Sequence, residues 1–302
     1  MNIIDIRCFG HVEICVNETV CECGLSGQTG NLIAALAVMG GEPIERAELA
    51  SNLWPHLPES RARGALNTEL WRLRQLLDRL GVPAQSVIES SKNELQFSPQ
   101  PPHTVDITQF IKLTKNIKNI ESQPINLEKL RDLEFAASLY RGEFHHGHYD
   151  DWCLIRRNSF ESRYFLLLSV LMQKNEALQH FSKAIHYADK MLGIDPLMES
   201  GYRCLMRCQF ALGNKATSLR QFNLCKETLR RELGVSPSSK TENLYRQILT
   251  IPDQEAPTSV APMPLKGDVI SAEAADHICS AIKDLDEARS WLVSVNKKLR
   301  SN

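Results

Sequence analysis

What this 302-residue sequence lacks narrows its reading first. It has no stretch of about 18 apolar residues, so no membrane-spanning helix is expected. The opening MNIIDIRCFGHVEI carries no basic region followed by a long apolar run. No signal peptide is therefore expected, and a cytoplasmic location is. There is no Cys-x-x-Cys pair. The nine cysteines are odd in number and scattered, and Cys21 and Cys23 are too close together for a zinc knuckle. That usage points to free thiols in a reducing compartment and to no structural metal. No glycine-rich phosphate loop is present, which argues against a nucleotide-driven switch. No Ser/His/Asp or Cys/His arrangement stands out, so neither an enzyme nor a cofactor is expected. An excess charge of one sign is missing too: Lys+Arg number 35 against Asp+Glu 36, a net charge of −1. Any nucleic-acid binding must then come from a local surface.

What is there begins with alternation. Ile4, Ile6 and Cys8, then Val12, Ile14 and Val16, repeat with the period of strands, separated by turns at 9–11 and 17–18. From about Gln28 the spacing becomes helical, with Leu32, Ala35, Leu36 and Met39 on one stripe stopped by Gly40-Gly41. A short helix is expected from Arg46 to Trp54, ended by Pro55 and Pro58. A longer one follows, capped by Ser60 and running to Leu80 before Gly81. Val87-Ile88-Glu89 and Glu94-Leu95-Gln96-Phe97 then read as two strands joined by a tight polar turn.

From Val105 to Leu249 the pattern is almost wholly helical, with amphipathic stretches near 107–120, 126–140, 152–173, 176–192, 197–212, 215–233 and 239–249. Leu192-Gly193-Ile194-Asp195-Pro196 is echoed by Leu233-Gly234-Val235-Ser236-Pro237, suggesting helix pairs stacked in a tetratricopeptide-like way. Four prolines between 252 and 264 mark a linker. A last helix, 271–302, carries Ile278, Leu285, Leu292 and Leu299 every seventh residue, a coiled-coil seam. It has two readings, pairing with a second copy or partner protein, or packing back onto its own chain. The expected architecture is mainly α. A winged helix-turn-helix at 1–100 precedes a tetratricopeptide-like helical domain at 104–250, a linker at 251–270 and the amphipathic helix at 271–302.

Strands, three helices and a two-stranded wing are the order of a winged helix, in which the second and third helices form the DNA-binding pair. At about 100° per residue, Leu66, Leu70, Leu73 and Leu77 share one narrow face of the third helix, which must be buried. The opposite face then holds Arg61, Gly64, Asn67, Thr68, Trp71, Arg72 and Gln75, with Arg63 and Arg74 at its border. Guanidinium groups in such a place offset phosphate charge and form paired hydrogen bonds with guanine edges. Thr68 suits a thymine methyl, and Lys92 at the wing tip suits a neighbouring phosphate or the minor groove. An isolated arginine-rich helix reads as a solvated face; the element order turns the reading toward DNA.

Several local pieces carry a resemblance. Ile6-Arg7-Cys8-Phe9-Gly10, Leu53-Trp54-Pro55, Ala65-Leu66, Leu73-Arg74-Gln75-Leu76-Leu77 and Val105-Asp106-Ile107-x-x-Phe110 resemble the OmpR-type winged helix and following segment of SARP-like bacterial activators. Leu139-Tyr140-Arg141-Gly142-Glu143-Phe144, Asp151-Trp152 with Arg156 or Arg157, Asp195-Pro196-Leu197-x-Glu199 and Glu232 to Pro237 are similar to their bacterial transcriptional activator domain. The resemblance covers about residues 3–250. It implies binding of double-stranded DNA near promoters, often at direct repeats, and recruitment of RNA polymerase. By position, Arg61, Arg63, Thr68, Trp71, Arg72 and Arg74 would face DNA. One departure stands out: residues 1–100 hold 8 Lys+Arg against 12 Asp+Glu. Binding would then need a dimer or partner, or the chain serves as a protein-protein adaptor.

Other features have two readings each. His145, His146 and His148 beside Asp150 and Asp151 form either a metal site or a polar loop. Trp152 is a packing residue or a ligand-stacking one. Arg203, Arg207 and Lys215 line an effector groove or a solvated helix face.

Overall fold

The computed structural model describes residues 3–17, 19–20, 27–97, 103–121 and 126–251. The linker and the heptad helix with Ile278, Leu285, Leu292 and Leu299 lie outside the described residues. The chain divides into two compact units, Met1–Lys115 with Phe135–Glu161, and Asn116–Glu134 with Ser162–Asn302.

In the first unit, β1 (Ile4–Arg7) pairs antiparallel with β2 (Glu13–Val16), which pairs with β3 (Thr19–Val20). Ile4 and Ile6 point into the core while Asp5 and Arg7 stay half-buried, as the two-residue period requires. On the other side of β1 lies β7 (His103–Val105), parallel to it, giving the order β3-β2-β1-β7. The sequence pattern does not reveal β7. Three residues are too few to show a period, and the helical spacing from Val105 masks the strand.

α1 (Gly27–Val38) is buried along Thr29–Ala37 and stops where Gly40 and Gly41 take positive φ, 62° and 93°. β4 (Ile44–Glu45) leads into α2 (Arg46–Leu53) and then α3 (Glu59–Arg79). α3 starts one residue before the expected Ser60 cap, with Pro58 at φ −56° preceding it and no side chain capping it. β5 (Ile88–Ser90) and β6 (Glu94–Phe97) form the wing, and β4 joins it in the order β4-β6-β5. α4 (Asp106–Thr114) follows β7. The unit is a winged helix-turn-helix with small sheets.

The remainder is helical: α5 (Ile117–Glu121), α6 (Leu127–Leu139), α7 (Asp151–Ala177), α8 (Phe181–Ile194), α9 (Glu199–Ala211), α10 (Lys215–Leu233) and α11 (Ser239–Thr250). In the second unit α9 packs against α8, α10 and α11. Met206, Phe222, Leu244 and Ile248 form one apolar cluster, and Tyr202, Cys225 and Leu229 another. The two echoed motifs differ in structure. Gly234 ends α10 in the left-handed region at φ 71°, its N–H returning to the Arg230 carbonyl at 3.1 Å. Gly193 remains inside α8, and Asp195 is the residue that ends that helix.

The second motif also closes a polar network. Glu199 accepts from the Ser238 N–H at 3.0 Å, the Ser238 hydroxyl at 2.7 Å and the Thr241 hydroxyl at 2.5 Å. Arg203 donates to Thr241 at 2.9 Å and lies 3.8 Å from Glu199. The described cysteines Cys8, Cys15, Cys153, Cys204, Cys208 and Cys225 are buried and free.

Candidate nucleic-acid interface

α3 has one apolar side and one exposed side. Leu66, Leu70, Leu73 and Leu77 are at most 2% exposed, and Ala62 and Leu76 join them inside. Arg61, Arg63, Gly64, Asn67, Thr68, Trp71, Arg72 and Gln75 are exposed, Arg74 is half-buried, and Lys92 is exposed at the wing. The expected α3 side chains are thus outward rather than locked inside, Arg74 only in part. Trp71 is 61% exposed, an unusual place for a large ring that nothing in the fold needs there. Gly64 sits mid-helix on the same side, and a Cβ added there would meet nothing within 4 Å. Neither packing nor backbone conformation asks for glycine at this point, although glycine costs a helix roughly 1 kcal/mol against alanine.

The charges on this face are partly matched. Arg63 pairs with Glu59 at 2.8 Å, one turn away on the exposed side. Arg72 pairs with Glu69 at 2.6 Å, and Glu69 is buried, accepting from the Thr29 hydroxyl at 2.8 Å. Composition counts Glu69 merely as one of three acids on the helix. The helical wheel places it about 60° from Leu66, at the edge of the buried stripe. Thr68 donates its hydroxyl to the Gly64 carbonyl at 3.1 Å. Arg46, absent from the sequence-derived set, donates to the Asn67 side chain and to the Ser90 hydroxyl, joining α2, α3 and the wing. Nothing in its sequence setting distinguishes it, because its role depends on three elements meeting.

The base of the unit is tied together by residues that look unrelated in sequence. Asp106 accepts the N–H groups of Cys8 at 2.8 Å, Phe9 at 2.9 Å and Ile107 at 2.7 Å, with Arg141 at 3.7 Å. Burial pushes its carboxyl up to about 6, against the opposing pull of these N–H groups and Arg141. The Phe9 ring lies 5.2 Å from Phe110, 4.7 Å from Tyr140 and 5.4 Å from Phe160. Residues 143–146 run beside residues 8–10 through backbone hydrogen bonds, and Phe144 bridges Phe9.

Here the histidines find their place. His145 is buried and its Nε2 faces the Asn31 side-chain oxygen at 2.6 Å, while its ring stacks on His148 at 3.8 Å. Burial, with the nearby charges of His148 and Arg157, lowers its pKa to about 3, so the ring is neutral. His146 is exposed and pairs instead with Glu143 at 2.6 Å. Arg157 caps the carbonyls of Phe144, His145 and His148 at 2.7 to 3.1 Å. Trp152 is half-buried with its ring 6.2 Å from Phe144, a packing position. In this loop Phe144 and His145 are buried while His146, Gly147 and Tyr149 are exposed, and His146 turns to Glu143 instead of joining the stacked His145 and His148.

In the second unit the proposed groove residues turn inward: Arg203 to Thr241 and Glu199, Arg207 to Glu176 at 2.5 and 2.8 Å, and Lys215 to the Ile251 carbonyl. These contacts tie neighbouring segments of the helical unit together. Among the described residues one set of three potential metal donors lies close together, Glu176, Cys204 and Cys208, and Arg207 already takes both oxygens of that carboxylate. No helix among the described residues is long and apolar enough to cross a membrane.

Residues 105–249 match the family described as the bacterial transcriptional activator domain. Transcriptional regulator RedD of Streptomyces coelicolor is 25% identical over 233 residues, covering 74% of this chain and 64% of RedD. The chain thus spans a little under two thirds of RedD. Transcriptional regulatory protein MoaR1 of Mycobacterium tuberculosis is 21% identical over 258 residues, covering 82% of this chain and 79% of MoaR1. The solved structure of Mycobacterium tuberculosis EmbR in complex with a low affinity phosphopeptide aligns with TM-score 0.62 at 18% identity, over 95% of this chain and 72% of EmbR, which shows a shared fold. Residues 105–249 thus match the bacterial transcriptional activator domain, behind a winged helix-turn-helix, and the chain is similar to the transcriptional regulators RedD and MoaR1.

Proposed function

We propose that this chain is a non-enzymatic, cytoplasmic transcription activator that binds double-stranded DNA through α3 and the β5–β6 wing. Arg61, Arg63, Asn67, Thr68, Trp71, Arg72, Arg74 and Lys92 form the contact set. Residues 1–100 act as the DNA-binding domain and 104–250 as the helical domain that meets other proteins, RNA polymerase among them. Beyond the proline-rich stretch 251–270, the heptad positions Ile278, Leu285, Leu292 and Leu299 are the proposed contact with a second copy or a partner. The observation that carries this reading is the exposed α3 face, with arginines outward over a leucine stripe and a glycine that the fold does not need. Arginine forks match phosphates and guanine edges, and a bare backbone lets a groove wall come close.

Capture and sequencing of DNA bound by the full chain in its native cell tests it. Recovered sites clustered upstream of transcription starts, with repeated half-sites, are the expected result. Uniform recovery across the genome would contradict it. A second reading, a protein-protein adaptor, is favoured by one observation: residues 1–100 carry four more acids than bases. Its mark would be a stoichiometric protein partner with no DNA binding at low salt.

A further inference from the structure

We propose that Arg46 sets the base preference of Asn67, so that α3 reads an acceptor edge, guanine or thymine, rather than adenine at the base facing Asn67. This rests on the DNA-binding reading of α3 and adds which base that residue selects.

Arg46 is the first residue of α2 and is half-buried at the corner where three elements meet. Its backbone N–H donates to the Asn93 carbonyl in the wing turn at 2.7 Å. One guanidinium nitrogen donates to the Ser90 hydroxyl of β5 at 3.0 Å, and another donates to the side-chain oxygen of Asn67 on α3. A guanidinium has donors only, so the Asn67 atom facing it must be the amide oxygen, which fixes which way round that amide lies. Asn67 itself is exposed, between Gly64 and Trp71 on the outward face of α3.

An asparagine free to turn grips adenine with both ends, its oxygen accepting from N6 and its nitrogen donating to N7. Asn67 is not free in this way. One of its oxygen's two lone pairs already accepts from the Arg46 guanidinium, which also donates to Ser90, and this bond sets which way round the amide lies. What it offers a groove is its NH2 group, two donors. Guanine presents acceptors at O6 and N7, and thymine presents O4. Adenine offers one acceptor beside a donor, so facing it would set the Asn67 NH2 against the N6 amino group. Arg46 thus acts through Asn67 as a positioning residue, and it ties the wing to the recognition helix. Burial, and after it the charge of Arg74 on α3, lowers the Arg46 pKa, so Arg74 lies near this corner.

The test is selection of double-stranded DNA from a random pool by the full chain, followed by affinity on single-base variants of the selected site. The parent should select guanine or thymine at one position, with adenine there about tenfold weaker. In Asn67→Ala that position alone should lose its preference. In Arg46→Met it should move to adenine while the rest of the selected sequence stays the same. Arg46→Ala, which likewise removes the donor to the Asn67 oxygen, should shift it in the same way and carries the test if Arg46→Met fails to fold. A folded Arg46 variant that keeps the parent's base at the Asn67 position would overturn the inference while leaving DNA binding intact. A parent chain that selects no sequence would overturn the DNA reading and this inference with it.

Discussion

The buried carboxylate of Glu69 holds the exposed guanidinium of Arg72 at 2.6 Å, so one of the cations facing outward on α3 is partly neutralised from beneath. Glu69→Gln keeps an acceptor for the Thr29 hydroxyl and frees the Arg72 charge. DNA affinity at low salt should rise several-fold, with a small loss of thermal stability. Titration of labelled DNA and a melting curve on the same sample check both. Arg72→Ala gives a mixed result, because it strands a buried acid, at a cost of about 1–3 kcal/mol, besides removing a contact. Arg61 and Arg74 are the cleaner probes of the face.

Gly64 supplies a prediction in which stability and binding move in opposite directions. A methyl group at this position would project into open space, so Gly64→Ala should raise stability by roughly 0.5–1 kcal/mol, seen as a higher midpoint in urea. DNA binding should weaken, since the methyl occupies the closest approach of a groove wall. Unchanged binding would remove Gly64 from the interface.

Two buried groups give opposite pH slopes. Asp106 titrates near 6 when folded, above its unfolded value near 3.9, so its contribution is complete below the unfolded value and is lost as pH rises through 6. His145 titrates near 3 when folded, below its unfolded value near 6.5. Its contribution is complete above that value and is lost as pH falls toward 3. The histidine shift is the larger, so it governs the acid side. His145→Asn, which can still donate to Asn31, should lose less melting temperature than the parent between pH 7 and pH 4. An equal loss would remove His145 from the acid response.

Glu199 is the shared acceptor of Ser238, Thr241 and Arg203. Glu199→Ala removes the acceptor shared by Ser238 and Thr241 and the carboxylate facing Arg203, which keeps its bond to Thr241, at a cost of about 2–4 kcal/mol. The loss should appear as fast amide exchange in α11, which the Glu199 network anchors, while Glu199→Gln should lose less. Exchange in α11 that stays slow in Glu199→Ala would show that the network does not hold that helix.

Much of the fold is legible in the sequence because local periods carry it. The leucine stripe of α3, the wing strands and most of the amphipathic helices repeat within a few residues and lie near where their periods place them, while the stretch at 107–120 is split into α4 and α5 and the one expected from 176 begins at Phe181. What the sequence hides is created by distant pairing. β7 needs β1 from about 100 residues away to be a strand at all. Phe9, Phe110, Tyr140 and Phe144, recognisable one by one as family signatures, become one aromatic cluster only in three dimensions. The histidines of residues 145–148 read as a polar loop or a metal site because burial has no mark in composition. Arg46 is hidden for the same reason, since it acts through Asn67, 21 positions away, and Glu69 is buried against Thr29, 40 positions away, although the Arg72 it holds is only three positions on.

The most direct measurement of the central claim is the salt dependence of DNA affinity for the full chain, with Arg61→Ala and Arg74→Ala compared separately and together. Each variant should lower affinity and reduce the slope of log affinity against log salt by about one, at unchanged melting temperature. Variants that bind with the parent's affinity and slope would show that the outward face of α3 is not where this protein meets DNA.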